Sequence, residues 1–523
     1  MKKVLAFLMA ACICAFSGCS PGANTSPATT SDAPSEALGA QASTSQASTP
    51  EAASNDDIVE IQVLAPLFSD PPNMANEYWT EYQRLTHSKL SVEWVDAGSF
   101  HDVNHLRIAS GDLPEVSGIP DVRTPTLLNA IKNGAYWDLT DYFGDFSQYP
   151  NLRDNVAENC YTYLSVNNRI YAAPRSRTRI DLGVNIRKDW LDKLGLPLPT
   201  TLDEYADALE AIVNSDPDGN GQKDTIGLLI DTSVPGSLGV AFGALDPQYT
   251  EDGAGIYHMY LNDGYIDTVA YLADLYKRGA ISPQFASTKI EDNQNYYSTN
   301  RGASYIMSIW HHWEWETSSA KVQPDPAPKV VSLVLDGPKG KAIQLNTGVS
   351  GGYYVSKNVP EEKMIRILKY LEDATSMEVT NLAYYGIEGV HHTLKDGMPV
   401  LNELGTQQIN TSSKCVGPLA YMKYGKVDSA GGDKAYNEEK RKMVEDYEEI
   451  GKTDFFGNGT VVSEVWNTNW PKYQSEYLAN VAKAISNDMT VEDFRSYVEG
   501  LRSNPDLQPA WAEFSASWKA IFG

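Results

Sequence analysis

The stretch Asp216–Asp224, D-P-D-G-N-G-Q-K-D, leaves its part of the chain little conformational choice. Oxygen-bearing groups fall at alternate positions: Asp216, Asp218, Asn220, the carbonyl of Gln222, and Asp224. That spacing suits a hard cation such as Ca²⁺, which gathers about six to eight oxygens at one centre. Gly219 and Gly221 let the backbone curl tightly enough for the donors to converge. The first half follows an EF-hand loop with Gly221 at its sixth position, but Gly227 stands at the twelfth, where an EF-hand carries a bidentate glutamate. The other reading is an acidic Asx-turn capping a helix. A structural calcium is expected, tying the helix before the loop to the apolar run Ile226–Ile230 after it. That helix is well marked. Pro197 and Pro199 stop its predecessor, Thr200 or Thr201 caps it, and Asp203 and Glu204 occupy its first turn. Leu202, Tyr205, Leu209, Ile212 and Val213 form its apolar face.

The N-terminus carries an address. Lys2 and Lys3 precede an apolar core, Val4–Phe16, too short to span a bilayer and suited to an export signal. Its end, Phe16-Ser17-Gly18-Cys19, resembles a bacterial lipobox, which implies that Cys19 is lipidated and becomes the first mature residue; the alternative is an ordinary secretory signal. Residues 20–57 are almost entirely Ala, Ser, Thr, Pro, Gly and acidic residues, with no aromatic side chain, and read as a flexible tether. Two or more acyl chains would hold such a protein at a membrane surface. The chain has 68 acidic against 42 basic residues, a net charge of −26, and losing Lys2 and Lys3 makes it more negative. Such a surface argues against nucleic acid and anionic lipid as partners. Beyond Cys19 only Cys160 and Cys415 remain, expected as buried single cysteines.

From Ile58 onward the chain is too long for one core and suits two α/β lobes. Val59–Leu64 reads as a strand, Tyr78, Trp79, Tyr82 and Leu85 as a helix face, and Leu90–Val95 as a second strand. A helix over His105–Gly111 leads into a turn and strand at Leu113–Val116. This alternation predicts a parallel sheet with helices on both faces.

Leu106–Val116, L-R-I-A-S-G-D-L-P-E-V, resembles a segment of the large extracellular solute-binding proteins, sugar-capturing lipoproteins of ABC importers. Arg169–Arg175, R-I-Y-A-A-P-R, resembles their crossover into the second lobe, and Ile186–Tyr205 their most recognisable block. Leu272–Phe285 and Tyr384–His392 match as well, so the likeness covers nearly the whole mature chain. It is greatest to large calcium-containing members that bind alginate, fructo-oligosaccharide or N-glycan fragments. In those an acidic side chain usually follows the last aspartate of the loop; here Thr225 does. The resemblance implies an α/β, two-lobed periplasmic-binding-protein-like fold of type II, with a ligand cleft and hinge between lobes. Passages between lobes are expected near Tyr171–Arg175, Leu345–Tyr353 and Met398–Gly405. The expected division is signal 1–18, tether 19–57, first lobe 58–173 and 347–400, second lobe 174–346 and 401–523.

Sugars are held by aromatic rings against their C–H faces and by polar side chains on their hydroxyls. The cluster Trp310-His311-His312-Trp313-Glu314-Trp315 follows the strand Ser304–Ser308. Trp310, His312 and Trp313 are candidate ligand contacts, with packing under a helix as the alternative. Two adjacent histidines and Glu314 do not make a zinc site. Arg175 and Arg177 suit a carboxylate or vicinal hydroxyls, or else surface ion pairs. Tyr384 and Glu388 sit in a loop that the resemblance puts near the cleft. Trp466, with Asn467 and Trp470, is a further candidate, or else docks the C-terminal helices. The leading expectation is an extracellular, lipid-anchored, monomeric capture protein that delivers an oligosaccharide to permease subunits. A peptide or signal-molecule binder of the same fold and a secreted carbohydrate-active enzyme are the alternatives. No G-x-S-x-G or H-E-x-x-H supports the enzyme.

Overall fold

The computed structural model describes residues 58–523 except 121–122, 158, 232–233, 396, 410–411, 425–433 and 458. The export signal, the lipidation site Cys19 and the tether lie outside the described residues. Among the described residues, a five-stranded and a four-stranded sheet, each with its own hydrophobic core, organise the body. In the first, Val59–Leu67 buries Val59, Ile61 and Val63 on alternate positions and pairs in parallel with Ser88–Asp96 along its whole length. Its other edge meets Val116–Ile119, also in parallel. Asn76 starts the intervening helix, Glu77–Leu85, by accepting the N–H of Trp79 at 2.9 Å, which sets Tyr78, Trp79 and Tyr82 in the core.

The sheet is not wholly parallel. Val349–Val355 enters between Val116–Ile119 and Ala172–Ser176, antiparallel to both. The reason is topological: strands that leave this lobe run toward the second one, and a strand that returns must run the other way. The second sheet repeats the logic. Its order is Ile226–Leu229, Gly302–Ser308, Leu182–Arg187, Val330–Leu333, and the incoming strand Leu182–Arg187 is antiparallel to both neighbours. The core around it takes Leu202, Tyr205, Leu209 and Ile212 from the helix Leu202–Val213, capped by Thr201, whose hydroxyl accepts the N–H of Glu204. The C-terminal helices add Phe494, Val498, Leu501, Trp511 and Phe514.

Residues 177–181 and 346–348 run between the sheets and bond to each other: Arg177 N–H donates to Gly348 O at 2.9 Å, and Asn346 N–H to Arg179 O at 2.6 Å. Gly451–Thr453 pairs in parallel with Ile343–Leu345 beside them. Met398–Leu401 forms a hairpin with His392–Lys395, and Ile409 and Val416 still pack into the first core. Farther on, Tyr421 donates its N–H to Asn155 O and its hydroxyl to Glu448 on the helix Lys434–Ile450, touching both halves. Cys160 and Cys415 are both buried and form no disulfide with each other. Among the described residues, no helix is long and apolar enough to cross a membrane.

Candidate functional site

A cavity of about 620 Å³ opens where the passages meet the two cores. On the first-sheet side it is bounded by Pro120, Arg123 and Thr124, directly after Val116–Ile119, and by Arg175 and Ser350 on adjoining strands. Arg177, Asp181, Asn346 and Gly348 come from the passages, and Phe456, Val462 and Asn467 from the loop and helix after Gly451–Thr453. The site therefore lies outside the ends of strands, the ligand position of open α/β sheets. Gly348 has φ +81, and a Cβ there would stand 2.8 Å from the Ala157 side chain, so glycine is the residue this approach admits.

The guanidinium groups are held mainly by neutral acceptors. Arg123 donates Nε to Tyr163 O at 3.1 Å and Nη2 to Ser165 O at 2.7 Å. Arg175 donates Nη1 to Ser350 Oγ at 3.0 Å and Nη2 to Cys415 Sγ at 3.2 Å. Arg177 donates Nη1 to Ser176 O at 2.7 Å. Burial, and then the charge of Arg175, lower the Arg177 pKa to about 10, so Arg177 remains charged at neutral pH. Burial also lowers the pKa of Lys414, with Arg177 contributing; its Nζ lies 5.0 Å from the Tyr384 ring centroid. Asp181 accepts the Ser308 hydroxyl at 2.6 Å.

Of the residues singled out in the sequence, Arg175 and Arg177 line this cavity, and Tyr384 is an electrostatic neighbour of Arg177. The tryptophan candidates stand elsewhere. Trp310 donates Nε1 to Ile180 O at 3.1 Å and packs against the cluster of Ile180, Ile309, Ile343 and Val444. Trp313 is 36% exposed, edge-on to Tyr436. His312 is wholly buried: its Nδ1 accepts from Lys440 Nζ at 2.8 Å and its Nε2 lies 2.7 Å from Asn185 Oδ1. Trp466 is stacked between His258 and Trp470, with ring centroids 4.2 and 4.3 Å away, inside the second core. Its neighbour Asn467 is the member of that set that reaches the cavity. Glu388 is exposed on the turn opened by Gly386, which has φ +69. Arg123, Asp181, Asn346, Ser350 and Phe456 carry no local signature. Each is an ordinary residue at the end of an element, brought to the cavity by tertiary structure alone.

In the acidic loop, Asp216 accepts the N–H groups of Asn220 and Gly221 at 3.0 and 2.9 Å. Asn220 Nδ2 bridges Asp218 Oδ2 at 2.7 Å and Asp224 Oδ1 at 3.1 Å. Gln222 N–H donates to Asn220 Oδ1, and Arg301 lies 3.2 Å from Asp224. Gly219 and Gly221 adopt φ +72 and +74, as the curl requires. Burial and a hydrogen bond to Asp216 raise the carboxyl pKa of Asp218, while the Gly221 N–H foremost lowers that of Asp216. Among the described residues, no group of three or more His, Cys, Asp or Glu is arranged to hold a metal ion. The donor types present are those a hard cation accepts: Asp218 and Asp224 bond the Asn220 side-chain amide, Asp216 bonds backbone N–H groups beside it, and the buried hydroxyl of Thr225 has no hydrogen-bond partner.

Comparison with known proteins places these features in a family. The profile of the bacterial extracellular solute-binding proteins matches residues 68–378. Lipoprotein LipO of Bacillus subtilis is 29% identical over 354 residues, covering 65% of this chain and 68% of LipO. The polygalacturonan/rhamnogalacturonan-binding protein YtcQ of the same organism is 26% identical over 350 residues, with the same coverage. Among solved structures, an EF-hand mutant of the Streptococcus pneumoniae ABC-transporter substrate-binding protein FusA, in complex with fructo-nystose, superposes with a TM-score of 0.60. That match has 18% identity and covers 88% of this chain and 99% of FusA. The two sheets, the cavity between them and the profile match agree: this chain belongs to the bacterial extracellular solute-binding protein family.

Proposed function

We propose that the protein captures a carbohydrate, most simply an oligosaccharide, in the cavity between its lobes and delivers it to the permease of an ABC importer. One observation carries this reading: the cavity is walled by residues of both lobes and of the passages joining them, so one ligand touches everything that must move when the lobes close. Its volume falls in the range of small-molecule sites. Its polar lining suits hydroxyls, with Asn346, Ser350 and Asn467 as neutral partners and Phe456 as the ring beside them. The work is binding rather than catalysis. The relatives named for polygalacturonan, rhamnogalacturonan and fructo-oligosaccharide binding support the ligand class.

The same reading draws the first lobe to about Tyr421, since Ile409 and Val416 pack into its core, and assigns the helices from Lys434 onward to the second. Lipidation at Cys19 would keep the protein at the outer face of the membrane on its tether. A calcium ion held by Asp216, Asp218, Asn220, Gln222 and Asp224 would fix the exit of the helix Leu202–Val213, away from the ligand. The test is a thermal-shift screen of the protein from about Asp56 onward, with neutral and acidic oligosaccharides and a peptide set as control. Native-state binding raises the melting temperature, by about 2.7 kcal/mol of stability at a hundredfold excess over Kd. A shift confined to saccharides is expected. Shifts with peptides alone would replace the carbohydrate reading with the peptide one.

A further inference from the structure

The charge of the cavity runs against the charge of the protein. Acidic residues outnumber basic ones 68 to 42 overall, yet the described lining includes the guanidinium groups of Arg123, Arg175 and Arg177 and one carboxylate, Asp181. Several arginines elsewhere pair with acids: Arg84 with Glu81, Arg107 with Glu93 and Asp112, Arg278 with Asp207, Glu210 and Asp274, Arg502 with Glu499 and Asp263. Among the described residues, none of the three cavity arginines is in an ion pair. Carbonyls, a hydroxyl and a thiol position them instead, leaving their charge uncompensated in a partly desolvated cleft. Burial foremost, and the charge of Arg175 after it, lower the pKa of Arg177, and burial followed by the charge of Arg177 lowers that of Lys414. Placing unpaired guanidinium groups side by side is costly unless an anion completes the site. Their planar forks match a carboxylate.

We infer that the captured saccharide is anionic, a uronate-containing oligosaccharide whose carboxylates are read by Arg123, Arg175 and Arg177. This inference rests on the carbohydrate reading above and narrows it. The neutral partners around the arginines would take the hydroxyls, and Asp181 would turn an anionic group away from its own corner of the cavity.

The experiment is calorimetric titration with a set of short uronate oligomers, oligogalacturonates and oligomannuronates, each beside its carboxyl-reduced neutral counterpart. At about 50 mM salt at least one uronate is expected to bind tenfold or more tighter than its own reduced form. That ratio should shrink as salt rises to about 0.5 M, because the pairing is partly screened. Arg177→Gln and Arg123→Gln should each narrow the same ratio, and the salt series on the unmodified protein stands even if a variant folds poorly. If every reduced, neutral oligomer binds as well as its acidic parent, the anionic assignment is overturned and carbohydrate capture survives. Binding of peptides with no response to any saccharide overturns both.

Discussion

His312 and His258 show how one residue type changes meaning with its surroundings. In the sequence, two histidines between tryptophans suggest a ligand site. In the fold, His312 joins Lys440 on one helix to Asn185 on the second sheet, with Ser332 also donating to that amide oxygen. Since Nδ1 accepts the Lys440 proton, Nε2 carries the ring hydrogen, and burial together with the charge of Lys440 keeps the ring neutral. His258 lies among Tyr260, Phe456, Trp466 and Phe514, and burial lowers its pKa from 6.5 to about 3. A depressed histidine pKa means that the unfolded chain takes up protons that the native one refuses. For His258 the stability is therefore complete above about pH 6.5 and is lost as pH falls toward 3, by up to about 1.4 kcal/mol per pH unit. His258→Phe, which keeps a flat ring against Trp466, should flatten the decline in urea-unfolding free energy between pH 7 and pH 4. Equal slopes for variant and parent would show that His258 protonates without penalty. No sequence pattern separates such a histidine from a ligand, because the distinction is whether burial or solvent surrounds the ring.

Elements were the most legible level. Thr200 and Thr201 before an apolar face at helical spacing announced the helix Leu202–Val213, an apolar run announced a strand at Val59–Leu64 that extends to Leu67, and alternation announced one at Leu90–Val95 that spans Ser88–Asp96, because these signals are local. Strand direction was less legible: Val349–Val355 runs antiparallel because it returns from the other lobe, a fact of topology that its own residues do not encode. The loop Asp216–Asp224 lies between these cases. Its curl was readable from Gly219 and Gly221, whereas its hydrogen bonding to Asn220 was not. If it holds calcium, about 1 mM Ca²⁺ should raise the melting temperature above that measured in EDTA, and Asp216→Ala should abolish the difference. Identical melts in Ca²⁺ and EDTA would leave the loop an Asx-turn. Gly348 in the second passage gives an independent test of backbone demand. Gly348→Ala adds a side chain at φ +81 and 2.8 Å from Ala157, a cost of about 1–3 kcal/mol, visible as an earlier urea midpoint with an unchanged slope.

At the scale of the whole molecule, two complete cores are joined by a thin connection. The passages 177–181 and 346–348 bond to one another, and ring contact between the halves includes Tyr163 and Phe455, 5.9 Å apart. This scale was the least legible in sequence. The cavity draws on Pro120, Arg123 and Thr124, on Arg175 to Asp181, on Asn346 to Ser350, and on Phe456, Val462 and Asn467, four segments whose meeting depends on the entire fold. The architecture nonetheless makes a sharp demand. A ligand held by Arg123 and Arg175 on one side and by Asn467 on the other binds the closed arrangement better than the open one, and only that difference can drive closure. Small-angle scattering should then show the radius of gyration falling when saturating ligand is added. Asn467→Ala removes a contact of the second lobe alone, worth about 1 kcal/mol, so affinity should fall about fivefold and the contraction at saturation should be smaller. A full contraction in Asn467→Ala would mean that other second-lobe groups pull the lobes together. No contraction in the unmodified protein would mean that the ligand sits on one lobe, and closure would have to be sought in contact with the permease.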